Sequence, residues 1–187
     1  MKKSYFFLLL FFCITAFGQQ ITVDTSSYTS TELTSLLLES SCIDFYNVSS
    51  SSSNSVAYFN ANGSGFSLQE GIIIRNGNAQ FTEGPYTGLN ISSQINSNSD
   101  AELQQISTST GQTGPITDIA FLQFDFISQS TDFNFNFLFA SNEYGEWQCG
   151  FSDVFAFLIT DLNTNTNCLY NLPGCNSSTQ GDWVTGH

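Results

Sequence analysis

The stretch FNFNFLFASNEYGEWQCGFSDVFAFLIT, residues 133–160, sets two aromatic runs on either side of a group of carboxylates. In the first run Phe133, Phe135, Phe137 and Phe139 recur at every second position, with Asn134 and Asn136 between them. A period of two puts the rings on one face of a strand and the amides on the other. The runs DVFAFLIT from Asp153 and TDIAFLQFDFIS from Thr117 also read as strands. Several short strands with one dominant apolar face predict an all-β fold, mainly an antiparallel β-sandwich, jelly-roll-like, with one or two short helices. The aromatic ladder reads as core packing in preference to a carbohydrate-stacking platform.

Working outward, ITVD opens the folded part with a short alternating strand. Thr29 and Glu32 then have the spacing of a capping box. Leu33, Leu36 and Leu37 fall on one face of a helix that should stop by Ser40. VSSSSSNS, residues 48–55, reads as a mobile, polar surface loop of low complexity. SVAYFNA reads as a strand. SGFSLQEGIIIRNGNA should hold a further pair, with Gly71 leading into Ile72, Ile73 and Ile74 and a turn at Asn76-Gly77. From Gln80 to Gly114 the chain reads as a long loop region. One helical turn is expected at SDAELQQI, with Ser99 capping Ala101 to Ile106. No repeat of 20 to 50 residues is visible.

Residues 1–18 carry Lys2 and Lys3, an apolar run from Tyr5 to Ala16, and Ala16-Phe17-Gly18. These are the three parts of a secretory signal peptide, and the run is too short to span a bilayer. The expected mature part is one β domain, residues 19–187, exported to the cell surface or secreted, with no membrane insertion. Loss of Lys2 and Lys3 takes the formal net charge from −13 to −15 and leaves Arg75 as the sole Lys or Arg. Such a surface repels phosphate backbones and anionic lipid, which excludes nucleic acid as a partner. Four cysteines remain after the leader: Cys42, Cys149, Cys168 and Cys175. An even number in an exported chain suggests disulfides, with three connectivities open. The Pro173-Gly174 turn favours closing Cys168 onto Cys175, which would leave Cys42 with Cys149.

The residue types restrict the chemistry. The only histidine is His187, the last residue, so a Ser-His-Asp centre or a histidine-based zinc centre is not expected. Glycine-rich NANGSGFSL lacks the following Lys of a phosphate loop. Carboxylates remain. Glu143, Glu146 and Asp153, with the amide of Asn142, are candidates for a Ca²⁺ site, for a solvated acidic turn, or for a glycosidase-type acid pair. Strand residues three apart face opposite sides, which weakens the pairing of Glu143 with Glu146. Trp147 is a candidate contact for a partner, or else a lid over the core.

The 133–160 stretch resembles the signature of the choice-of-anchor L domain, found in secreted and surface proteins of Bacteroidetes-type bacteria. Phe139, Ala140, Ser141, Glu143 and Tyr144 match its F-A-S-E-E-Y element, with Asn142 in place of the first Glu. Cys149, Asp153, Val154, Phe155, Ala156 and Phe157 match the element that follows, with Ser152 in place of Asn. YTSTELTSLLLESSCIDFYNVS, FSLQEGIIIRNGNA, DAELQQI and NLPG are similar to further family elements in the same order. The resemblance implies a cell-surface or secreted, non-catalytic interaction or adhesion module whose partner is a surface glycan or protein. It also implies that the chain is a truncated member, incomplete at its C-terminus. The alternatives are a carbohydrate-binding or glycoside-hydrolysing module using paired carboxylates, and a structural spacer in a larger surface protein.

Overall fold

In the computed structural model, the residues described are 20–84, 93–95, 99–128, 136–141, 153–163 and 166–167, apart from 40, 42, 53 and 110. Their elements, in order, are β1 (Thr22–Asp24), α1 (Ser30–Leu38), β2 (Ile43–Ser50), β3 (Val56–Asn60) and β4 (Glu70–Ile74), then a 3₁₀ turn (Ala79–Thr82). After these come α2 (Ala101–Ser109), β5 (Leu122–Ser128), β6 (Thr160–Asp161) and β7 (Thr166–Asn167). All strand pairings are antiparallel. The fold is mainly β with two short helices, as the alternation implies. The chain forms two compact units, the first holding β1 to β5 and α1, the second holding α2, the segments 136–141 and 153–159, and β6–β7.

In the first unit, β3 is the centre of a three-stranded sheet of order β1-β3-β4. Alternation sorts its residues. Val23, Ala57 and Phe59 turn to one face and pack with Ala79 of the 3₁₀ turn, with Ile73, Phe66 and Leu68 against them. Phe59 and Phe66 meet edge to face, with centroids 5.9 Å apart. Gly71 stands opposite Phe59, and a Cβ there would come within 3.0 Å of its ring, so glycine lets the ring lie flat on β4. Asn76-Gly77 does turn the chain, into the 3₁₀ turn; of the pair of strands expected in residues 64–79 only β4 forms. Asn78 accepts from the Gln80 amide through its side chain and caps that turn.

β2 and β5 make a second, two-stranded sheet, with Phe45 opposite Phe126. Two residues of β2, Asn47 and Val48, oppose the single Phe124, because the register jumps between Tyr46 and Ser49. Asn47, at this bulge, takes a left-handed conformation, φ 52°, and its side-chain amide donates to Asp125 at 2.7 Å. Helix α1 packs against β2 and β4 and touches β3 and β5. Its capping box is present as expected: Thr29 accepts from the Glu32 amide, and Glu32 accepts from the Thr29 amide. The buried face is Leu33, Thr34 and Leu38, one position round from the predicted Leu33, Leu36 and Leu37. Thr34 is tolerated there because its hydroxyl donates to the Ser30 carbonyl at 2.9 Å.

The serine run is not the surface loop its composition suggested. Ser49 and Ser50 belong to β2 and pair with Gln123 and Leu122. The Ser30 and Ser50 hydroxyls meet at 2.6 Å, joining helix to strand. Ser55 is fully buried, donates to the Ser52 carbonyl, and shares a 2.7 Å contact with the Ser51 hydroxyl. Ser51 exchanges hydrogen bonds with the backbone of Phe121. Small hydroxyl side chains fit where the backbone crowds, and burial becomes tolerable once each is hydrogen-bonded.

In the second unit, α2 is capped by Asp100 and not by Ser99. The Asp100 carboxylate accepts from the Leu103 amide at 2.9 Å, while its carbonyl accepts the first helical bond from Gln104. Ser99 sits at φ 55°, outside the extended conformation a cap requires. Ile106 is the buried residue of this helix. Segments 136–141 and 153–159 form no strand among their described residues, although both were expected to.

Candidate functional site

Asn142, Glu143, Glu146 and Trp147, the four cysteines Cys42, Cys149, Cys168 and Cys175, and the leader all lie outside the described residues. Of the proposed acidic set only Asp153 is described. It stands exposed, so the desolvation that pushes its carboxyl above the ordinary range acts on a group still open to water. Immediately after it the rings gather. Phe155 stacks on Phe137 at 6.0 Å and 28°, and meets Phe157 edge-on at 4.7 Å. Phe139 completes the cluster, 6.0 Å from Phe155. Of the expected ladder, Phe137 and Phe139 both meet Phe155, while Phe133 and Phe135 lie outside the described residues; Phe137 stays 48% exposed where core packing was expected. Among the described residues, no group of three or more His, Cys, Asp or Glu side chains gathers to hold a metal.

Polar residues that do converge lie elsewhere, on the face of the β1-β3-β4 sheet away from Phe59, where Thr22 and Glu70 are exposed, Asp24, Tyr58, Asn60 and Ile72 are half-buried, and Val56 is buried. Register brings Thr22, Asn60 and Glu70 into one row across the three strands, and Asp24, Tyr58 and Ile72 into the next. The Tyr58 hydroxyl donates to Glu70 at 2.6 Å and accepts from the Asn60 amide at 3.2 Å. The Asn60 bond works to lower the phenol's pKa. The Glu70 hydrogen bond, desolvation and the negative charge of Glu70 outweigh it, so the pKa lies above its ordinary value and the phenol stays protonated. Tyr28, on the turn before α1, lays its ring 5.1 Å from that of Tyr58 and is itself 38% exposed.

Asp24 fixes that turn. One carboxylate oxygen accepts from the Ser26 and Ser27 amides, both at 2.9 Å, and from the Ser26 hydroxyl at 3.3 Å. The Ser27 side chain, then those amides, hold its pKa down to about 2. Arg75, at the end of β4, is half-buried and donates to the Thr82 hydroxyl at 3.2 Å; burial lowers its pKa. Sequence reasoning missed the tyrosine face because its members are spread over residues 22–70. The available signal was Tyr58 and Asn60 alternating with Phe59, a polar face on a strand whose other face is core.

Antiparallel sheets, two short helices and this strip of tyrosine, amide and carboxylate define a small, mainly-β domain. The family model for the choice-of-anchor L domain matches residues 22–181, most of the chain, and the chain belongs to that family. Membership points to a surface-associated module, and the family is not a known family of enzymes. No curated protein and no solved structure matches the chain. Among the described residues, no helix is long and apolar enough to cross a membrane.

Proposed function

We propose that the chain is an exported, non-catalytic interaction module that works in adhesion at the cell surface or in the extracellular space. The family match over residues 22–181 is the observation that carries this reading. The leader-like residues 1–18 and the strongly acidic composition support it. In the same reading Cys42, Cys149, Cys168 and Cys175 form disulfides, Trp147 contacts the partner, and Asn142, Glu143, Glu146 and Asp153 hold a Ca²⁺ ion that braces the acidic segment.

The test of export and adhesion is direct. In intact cells expressing the tagged chain, the tag should be open to added protease, and purified chain on a surface should capture cells above an albumin control. Protection of the tag until the cells are lysed would overturn export, and capture no better than albumin would overturn adhesion. For the ion, melting in millimolar Ca²⁺ should exceed melting in EDTA by several degrees. Glu143→Gln and Asp153→Asn should each abolish the difference. Identical melting curves would remove Ca²⁺ from the reading.

A further inference from the structure

We propose that the accessible part of the β1-β3-β4 sheet face opposite Phe59, from exposed Thr22 and Glu70 to Tyr28, is a binding platform for a neutral oligosaccharide, built around Tyr28 and Tyr58. The inference rests on the interaction-module reading above and names a ligand class and a place for it. Three features of the face point to a sugar. The two touching phenol rings present aromatic surface beside hydroxyls, a combination that suits ligands with one apolar and one wet face. A pyranose, with axial C–H groups on one side and hydroxyls around its rim, is such a ligand.

The polar groups are also held in place before any ligand arrives. Glu70 and Asn60 both bind the Tyr58 hydroxyl, so neither has to be frozen on binding. Both keep hydrogen-bonding capacity for a ligand: a carboxylate accepts through two oxygens, and an amide both donates and accepts. Asp24 stands opposite Tyr58 on β1, held in place by the hydrogen bonds of its turn. Three neighbouring strands span roughly 10 Å, which makes the face wider than a single side-chain contact. Val56, on the same face two positions before Tyr58, is buried, and that marks where the open strip ends.

Charge decides the class of sugar. The chain carries a formal charge of −13, and the face itself contributes Asp24 and Glu70 with no Lys or Arg among its paired residues. Sulfated or uronic-acid polymers would be repelled, and uncharged ones would not.

Purified full chain would be tested for retention on insoluble cellulose, mannan and β-1,3-glucan, with heparin and alginate resins as anionic counterparts. At least one neutral polymer should retain it. Tyr28→Ala should weaken that retention about tenfold, the upper end of what one aromatic contact contributes. Tyr58→Phe, which keeps the ring and loses the hydroxyl that organises Glu70 and Asn60, should weaken it less. Circular dichroism of each variant establishes that the sheet is intact. No retention of the folded chain on any neutral polymer, retention on the anionic resins alone, or binding unchanged in folded Tyr28→Ala would each overturn the proposal. Cell capture that survives deglycosylation of the target cells would sink the glycan platform and leave the interaction module standing.

Discussion

Phe59 in β3 stands 5% exposed between Gly71 and the ring of Phe66, whereas Phe137 stands 48% exposed although it touches the rings of both Phe155 and Phe157. The two regions begin from similar patterns, an apolar residue at alternate positions of a short run. The region with fewer aromatics is the closed one. In β3 the small residue Ala57 lets neighbours approach, Gly71 across the pair admits a flat ring, and Ala79 of the 3₁₀ turn lies on top. Around Phe137 large rings meet one another and remain half in water. Aromatic content sets how much surface is available to bury. Small residues and a covering element decide whether it is buried.

That contrast has a measurable size. Phe59→Ala should cost about 3–5 kcal/mol of unfolding free energy, the transfer term plus the cavity left behind. Phe137→Ala, which removes a ring already half-solvated, should cost about 1 kcal/mol. Urea unfolding of both variants checks this, and equal losses would abolish the distinction between the regions. Close packing can be probed from the backbone as well. Gly77 has φ +154°, and a Cβ there would stand 2.6 Å from the Ser93 hydroxyl and 2.9 Å from its carbonyl oxygen. Gly77→Ala should destabilise by about 1–3 kcal/mol, since backbone carbonyls cannot rotate away as a side chain can. A neutral effect would mean the Ser93 segment gives way freely.

Next in size is the start of α1. Thr29→Ala removes the side-chain acceptor for the Glu32 amide and should cost about 1 kcal/mol. Glu32→Gln, which keeps the geometry and loses the charge, should cost less. Should the two variants melt together, the charge of Glu32 would matter as much as the Thr29 hydroxyl.

The capping box was legible because it is local: two residues three apart determine it whatever the rest of the chain does. The same holds for the strands at β1 and β3. Asp100 was missed by one position because Ser and Asp cap equally well by type, and only the backbone angle at Ser99 separates them. The serine run was misread for a different reason. Composition reports average hydration, whereas the burial of Ser55 follows from partners at Ser51 and Ser52 and from the neighbouring Arg75 amide bonded to its carbonyl. The tyrosine face depends on register, which sets Asn60 across from Glu70 and Thr22, and no local window contains all three. Asn142, Glu143, Glu146 and the cysteines lie outside the described residues, so the Ca²⁺ and disulfide expectations are carried by sequence alone.

The smallest effect expected is also the one that sets two carboxylates against each other. In Asp24 the serine hydrogen bonds lower the folded pKa from 3.8 to about 2, whereas in Asp153 desolvation raises it. A lowered carboxylate pKa means the folded state holds the charged form better than the unfolded chain does. Its contribution to stability is therefore complete above the ordinary value of 3.8 and is lost as pH falls towards 2. A raised pKa has the opposite sign: the charged form costs stability at neutral pH, and the cost disappears as acid protonates the group. Both groups are open to water, so each effect is modest. With melting temperature followed from neutral pH to pH 2 in EDTA, Asp24→Asn should flatten the acid-side fall that the unaltered chain shows. Asp153→Asn should raise the melting temperature slightly at neutral pH and steepen that fall. An acid profile unchanged by Asp24→Asn would mean that the turn before α1 holds its shape without the carboxylate charge. The placement of Tyr28 beside Tyr58 would then rest on the ring contact and the capping box alone.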